Sequence, residues 1–233
     1  MPVVGLGHEG SDWEDAVQKY TQRLLNASKQ PGTIPAELTG EAALLPLLAS
    51  VGCQTSGQVS ILDFGGGMGA SYLYLTRGLA NDCSVDYHVV EMPNMCAAGS
   101  RLFQNNPHIH FHSAIPAELP ALDIVYFSTV LQYIEDYRGL LNRLCDYQPA
   151  YFLFVRFHGG DVPTYAAAQK NLKGTVVAHW FINMGELVSI MAENGYALIF
   201  KAASEREYNQ DNYPPTHRIK HPGHLLFARR GKA

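Results

Sequence analysis

Two carboxylates and a run of glycines are the residues best suited to chemistry in this chain. Asp63 lies in the apolar stretch VSILDF, Gly65, Gly66, Gly67 and Gly69 follow it within ILDFGGGMGA, and Glu91 closes a second apolar stretch, SVDYHVVE. Glycine weakens a strand or helix by roughly 0.5 to 1 kcal/mol relative to alanine, so four in ten residues imply something that the backbone must approach closely. A strand that turns through glycines into a helix aims backbone N–H groups and a helix N-terminus at whatever binds there. A carboxylate two residues before the first glycine suits an ammonium group and repels a pyrophosphate. An acid closing the next strand can accept both hydroxyls of a ribose. Further along, His158 in VRFHGG and His179 beside Trp180 are candidate general bases. Tyr133, Tyr137, Tyr165, Trp180 and Tyr213 offer aromatic faces to a cation.

These groups need elements to hold them. From Gln58 onward apolar strands alternate with helical patterns, which predicts right-handed βαβ units and a mostly parallel sheet. The strands are VSILDF, SVDYHVVE, HIHFHSAI, LDIVYFS and YFLFVRF, with helices over Ala70–Leu79, Met95–Phe103 and Tyr137–Leu144 between them. MGELVSIMAENGY reads as an amphipathic helix capped by Asn194-Gly195. ALIFKAASE and GHLLFARR have no helix between them, so they predict an antiparallel hairpin on the sheet edge. Upstream, Trp13, Val17, Tyr20 and Leu24 recur at helical spacing over 11–29, QPGTIP breaks that helix, and EAALLPLLASVG resumes one that ends at Gly52 before the loop QTSG. The expected organisation is a helical N-terminal extension over residues 1–57 and a Rossmann-like domain over 58–233.

Composition narrows the partners. The chain has 233 residues with a formal net charge of −4, so no positive surplus exists for gripping nucleic acid or an anionic membrane. The opening segment carries acids and lacks the apolar core of a secretory signal, and the most apolar run, Ala42–Val51, is too short to span a bilayer. Cys53, Cys83, Cys96 and Cys145 form no C-x-x-C pair and read as reduced thiols in a cytoplasmic protein. His108, His110 and His112 alternate along one predicted strand but lack a fourth ligand, so no metal site is expected. A small-molecule substrate is the expected partner, and a homodimer is left open.

Glycine spacing alone fits two cofactors. Gly65, Gly67 and Ala70 satisfy the dinucleotide pattern G-x-G-x-x-[GA], while Gly65, Gly67 and Gly69 satisfy the G-x-G-x-G turn of S-adenosylmethionine (SAM) enzymes. Asp63, Glu91 and the terminal hairpin favour the second. With them, VSILDFGGGMG, YHVVEMP and LDIVYFSTVLQYIED together resemble motif I, the acidic end of the second strand and the segment after the fourth strand of class I SAM-dependent methyltransferases. The strings LDFGGG and VLQYIED are similar to those of a group of small bacterial methyltransferase-like proteins.

That resemblance implies a seven-stranded, mostly parallel α/β sheet with a C-terminal antiparallel hairpin. It also implies that Asp63 holds the amine of SAM, that Gly65, Gly66, Gly67 and Gly69 let the backbone approach it, that Glu91 binds the ribose and that Met92 lies against the adenine. Ser113 and Ala114 fall where many members carry an acid for the adenine amino group. Ser128, Thr129 and Gln132 fall beside the methionine part, and Tyr133, His158 and Tyr213 are the catalytic candidates. Four activities are compatible with these residues. The leading one is methyl transfer to a small molecule of natural-product type. The others are cyclisation of SAM to azetidine-2-carboxylate with release of 5'-methylthioadenosine, non-catalytic SAM binding, and dinucleotide-dependent redox chemistry.

Overall fold

A computed structural model describes residues 11–28, 40–80, 82–170 and 176–231. The QPGTIP break lies outside them. Seven strands form the main sheet: β1 (Gln58–Phe64), β2 (Ser84–Val90), β3 (Ile109–His112), β4 (Ile124–Ser128), β5 (Tyr151–Phe157), β9 (Tyr196–Ala203) and β10 (Gly223–Arg229). Their order is β3-β2-β1-β4-β5-β10-β9. β1 pairs parallel with β2, β2 pairs parallel with β3, and β10 runs antiparallel to both β5 and β9, as the missing helix between the last two strands predicts. The helices are α1 (Ser11–Ser28), α2 (Leu44–Ser56), α3 (Ala70–Gly78), α4 (Pro93–Leu102), α5 (Tyr137–Cys145) and α6 (Met184–Glu193).

The chain divides into two compact units. One is Ser11–Tyr126. Its core strands carry Ile61, Leu62, Tyr87 and Val89, all inaccessible to solvent, as continuous apolar runs buried on both faces dictate. α1 packs on α3 and α4, with Val17 joining a cluster of Met68, Met95 and Ala98. α2 departs from expectation: Gly52 lies inside the helix, and the helix ends at Gly57, the residue with left-handed backbone (φ 70°). Thr55 and Ser56 hydroxyls donate to the carbonyls of Val51 and Gly52, so QTS continues the helix rather than forming a loop. β3 stops at His112, short of the predicted stretch, and His108 precedes it. Cys53 and Cys83 form a disulfide with Cα atoms 5.7 Å apart, which corrects the reduced-thiol reading for this pair; Cys96 and Cys145 are free and buried.

The other unit holds the described residues from Phe127 onward. Phe127, Phe152, Phe154 and Phe227 pack ring against ring in its core. It also contains a second sheet with no counterpart in the sequence reading: β6 (Gly159–Gly160), β7 (Tyr165–Lys170) and β8 (Val176–Asn183), in the order β6-β8-β7. The end of α6 follows the reading, with Asn194 as its cap and Gly195 at φ 85°; at its start the Asn183 side chain accepts from Glu186 N.

Candidate functional site

In the unit Ser11–Tyr126 the glycine turn closes around two acids. Gly65 donates its N–H to Val90 O (2.9 Å), tying the turn to the end of β2. Gly66 and Gly69 are required by their own protein. A Cβ at Gly66 would collide with the Asp63 carboxylate, and one at Gly69, whose φ is 83°, would lie 2.7 Å from Ile109 Cδ1 and 3.2 Å from Phe103 and Phe111. These glycines therefore let the turn fold tightly over Asp63 and over the α4/β3 packing, in addition to baring the backbone for a ligand.

Asp63 is 1 % exposed. Its Oδ2 accepts from the Tyr87 hydroxyl at 2.7 Å, while Oδ1 is buried with no hydrogen-bond partner. Burial pushes its carboxyl up to about 7, opposed by the Tyr87 and Ser71 hydroxyls and reinforced by the charge of Glu91. Glu91 accepts from Gly67 N (3.1 Å) through Oε2 and from Met92 N (2.8 Å) through Oε1, leaving a further lone pair on each oxygen. Burial raises its carboxyl too. An orphaned, buried carboxylate oxygen under a turn stripped of side chains fits a ligand that carries an ammonium, and the two oxygens of Glu91 fit a diol. Met92 caps α4 and packs on the Met68/Met95/Ala98 cluster, and Ser113 and Ala114 are exposed just past β3. On the same two strands Asp86 bonds His88 (3.1 Å) and His110 (3.0 Å), and His88 bonds His112 (3.1 Å). No group of three or more His, Cys, Asp or Glu among the described residues is arranged to hold a metal ion.

The unit from Phe127 onward gathers the other candidates. Ser128 ends β4 and Thr129 follows in left-handed backbone (φ 57°) with its hydroxyl buried and unpartnered, while Gln132, 2 % exposed, donates to Thr129 O (2.9 Å). His158 is placed by an irregularity. Gly223 and Leu225 of β10 pair with Phe157 and Phe154, so His224 stands opposite two residues, and Arg156 takes φ 55° to close the bulge. Past the bulge, His158 O accepts from Ile182 N (3.1 Å), and Gly159 lies flat against Ile182, where a Cβ would strike the Ile182 carbonyl.

His158 is 3 % exposed and joined at both ring nitrogens. Its Nδ1 is 2.7 Å from His179 Nε2, and its Nε2 is 3.2 Å from the Tyr208 hydroxyl. His179 Nδ1 is in turn 2.8 Å from Gln169 Oε1. β7 and β8 bring Gln169 there by register: Ala167 pairs with His179, and Gln169 lies two residues on along the same face. Burial lowers His158 to about 3, with the His179 and Arg156 charges acting in the same direction, and burial lowers His179 to about 4. Tyr133 sits edge-on to His179 (5.6 Å) and hydrogen-bonds Gln132 and Gln169. Tyr213 stands apart from this chain, against Phe181 (5.7 Å) and Tyr165 (6.1 Å). The structure thus brings Tyr133 and His158 together through His179 and leaves Tyr213 in a neighbouring aromatic cluster. Gln169 and Tyr208 were not among the sequence candidates. Gln169 lies in TYAAAQK, whose three successive alanines hide its strand, and Tyr208 lies outside regular structure.

Tyr137 and Trp180 take other places. The Tyr137 hydroxyl donates to Glu186 (2.6 Å), and Trp180 lies on β8 opposite Ala166. No helix among the described residues is long and apolar enough to cross a membrane.

The strand order, with its parallel strands and reversed β10, defines the class of fold: that of the Rossmann-like SAM-dependent methyltransferases. Among solved structures, the chain is similar to a SAM-dependent methyltransferase from Mesorhizobium loti, at a TM-score of 0.53 and 18 % identity over 83 % of this chain and 100 % of that one. It is also similar to 1,6-didemethyltoxoflavin-N1-methyltransferase from Burkholderia thailandensis, solved with its namesake compound and S-adenosylhomocysteine, at a TM-score of 0.53 and 16 % identity over 94 % of this chain and 90 % of that one. Magnesium protoporphyrin IX methyltransferase from Synechocystis, solved with bound SAM, gives a TM-score of 0.53 and 12 % identity over 93 % and 96 %. Compared by sequence, the chain matches no family model and no curated protein.

Proposed function

We propose that the chain is an enzyme that binds SAM at the Asp63–Glu91 site and transfers its methyl group to a small-molecule acceptor of natural-product type. The observation that carries this reading is the buried, unpartnered Oδ1 of Asp63 beneath a side-chain-free turn. The sulfonium of bound SAM supplies an activated methyl carbon. The residues of this chain have only to hold the ligand, exclude water and deal with the proton of the acceptor. In this assignment Asp63 takes the ammonium, Glu91 the ribose diol and Met92 one face of the adenine. Ser113 and Ala114 border the adenine edge.

A second reading rests on the same carboxylate. With a pKa raised to about 7, Asp63 is poised to take a proton from the amine of SAM itself. The amine nitrogen would then bond to the side-chain carbon next to sulfur as that C–S bond breaks, releasing methylthioadenosine and azetidine-2-carboxylate. Incubation of the protein with SAM alone and with phenolic and amine acceptors, followed by mass spectrometry, separates the two. S-adenosylhomocysteine formed only when an acceptor is present is the expected result. Methylthioadenosine from SAM alone would replace methyl transfer with cyclisation, and tight SAM binding with neither product would leave a binding protein.

A further inference from the structure

Asp63 and Glu91 stand close together without a cation of the protein to balance them. Asp63 Oδ2 accepts from the Tyr87 hydroxyl, and the Ser71 hydroxyl at the start of α3 acts on the same carboxyl. Glu91 is held by the backbone N–H groups of Gly67 and Met92. Among the described residues, the charge that acts on Asp63 is that of Glu91, which has its own sign. The surroundings are dry. Asp63 pairs with Val89 in the β1–β2 register and follows Ile61 by two residues on the same face, and both neighbours are inaccessible to solvent. An ionised carboxylate in such a place costs far more than a neutral acid.

Tyr87 decides which oxygen carries the proton of that acid. It is inaccessible to solvent, and burial, the Asp63 charge and Tyr126 all raise its hydroxyl, so it remains a donor. It occupies Oδ2, which leaves the acid proton to Oδ1, the oxygen without a partner. Gly66 covers the carboxyl with backbone alone, since a Cβ there would lie 2.4 Å from Oδ2 and 3.1 Å from Oδ1, and Gly65, Gly66 and Gly67 are only half-buried. A proton and the ammonium of a ligand therefore compete for one oxygen.

We infer that the site exchanges a proton for its ligand: Asp63 Oδ1 holds a proton in the free protein, the ammonium of SAM displaces it, and Tyr87 is the positioning residue that keeps Oδ1 for this exchange. The inference rests on the SAM-binding part of the reading above. In the step the Oδ1–H bond breaks, the proton passes to solvent, and an N–H of the ammonium donates to the ionised oxygen; no other bond changes. The consequence is selectivity. A nucleoside without an ammonium has nothing to offer the ionised carboxylate, so the preference for SAM over it grows as pH rises. The raised carboxyl, at about 7, puts the exchange in the neutral range. The free site binds a proton that the complex lacks, so affinity falls as pH drops below about 7 and levels off above it. The groups facing Asp63 are Tyr87 of β2, Glu91 just past β2 and Ser71 of α3, with Tyr126 acting on it through Tyr87.

Calorimetry on the full chain tests this. Titrations with SAM between about pH 5.5 and 8, each in two buffers of different ionisation enthalpy, count the protons released. About one should leave per SAM bound at pH 6, and affinity should rise by about tenfold per unit up to about pH 7. 5'-Methylthioadenosine has the ribose and adenine but no amine, so any proton it displaces belongs to Glu91, and it should release less than about half as much. Asp63→Asn should abolish the difference between the two ligands. Tyr87→Phe removes a hydrogen bond that favours the ionised acid, so the midpoint should move up by at least about half a unit: about threefold weaker binding at pH 6, and less than about twofold at pH 8. A packing defect would weaken both alike. An unmoved midpoint overturns the role of Tyr87. Equal release by both ligands, or none by either, overturns the exchange while SAM binding stands. SAM bound by Asp63→Asn and Glu91→Gln as tightly as by wild type, or by none of the three, overturns the site assignment and the inference with it.

Discussion

Asp63 makes the folded chain pay for its site, and the cost depends on pH. Its carboxyl is raised from 3.8 to about 7 in the folded state, mainly by burial. The unfolded chain ionises near the ordinary value, so native protein binds one more proton than unfolded protein between these limits. The protonated form contributes its full stability below about pH 4, and that stability is lost as pH rises through 7. A difference of about three units at about 1.4 kcal/mol each gives roughly 4 kcal/mol between pH 4 and 8, or about 1.4 kcal/mol per pH unit along the slope. Asp63→Asn removes the titration. Its Oδ1 can still accept from Tyr87, but its amide leaves a buried donor unsatisfied at about 1 to 3 kcal/mol, so the ligand-free variant should be about 1 to 3 kcal/mol more stable than wild type at pH 8 and less stable at pH 4. Urea unfolding of both proteins across this range measures the crossover. A stability difference that does not change with pH would refute the assignment of a buried, raised carboxyl. Calorimetry with SAM on the same variant should show at least about tenfold weaker binding, since the ammonium loses its counter-charge.

Two further perturbations address the rest of the turn. Glu91→Gln keeps the acceptor for one backbone N–H but loses the charge and the paired acceptors for a diol, so calorimetric affinity for SAM should fall by about tenfold or more with little change in fold. Gly69→Ala forces a side chain into left-handed backbone, at about 1 to 2 kcal/mol, and against Ile109, Phe103 and Phe111, at about 1 to 3 kcal/mol more; thermal unfolding should show a total loss of about 2 to 5 kcal/mol.

The main sheet was legible because its signals are local. YFLFVRF coincides with β5 over Tyr151–Phe157, and the absence of a helix between the last two strands announced the reversal of β10. Asp63, the glycines and Glu91 were found by their places at strand ends. What escaped depended on tertiary context. Gly52 looked like a helix stop, but a cap is decided by which residue can take left-handed backbone before β1, and that residue is Gly57. Cys53 and Cys83 are thirty residues apart, and only the packing of α2 beside the start of β2 brings them together. The second sheet was missed because β7, three successive alanines between Tyr165 and Gln169, is too weak in apolar content to read as a strand.

The same contrast explains why the catalytic candidates were harder to read than the binding ones. A binding carboxylate advertises itself by position at the end of an apolar strand. A chain of hydrogen-bonded side chains is a pairwise geometry: His158 is aimed by a bulge at Arg156, His179 by the register of β8, Gln169 by its place two residues beyond Ala167 on β7, and Tyr208 by an irregular segment. None of these partners is adjacent in sequence, so residue type alone offered His158 and His179 as rival bases. The geometry makes them successive members of one chain, in which His179 fixes the tautomer that leaves His158 Nε2 open to Tyr208. A lone buried imidazole with a pKa near 3 would be a poor resting base at neutral pH.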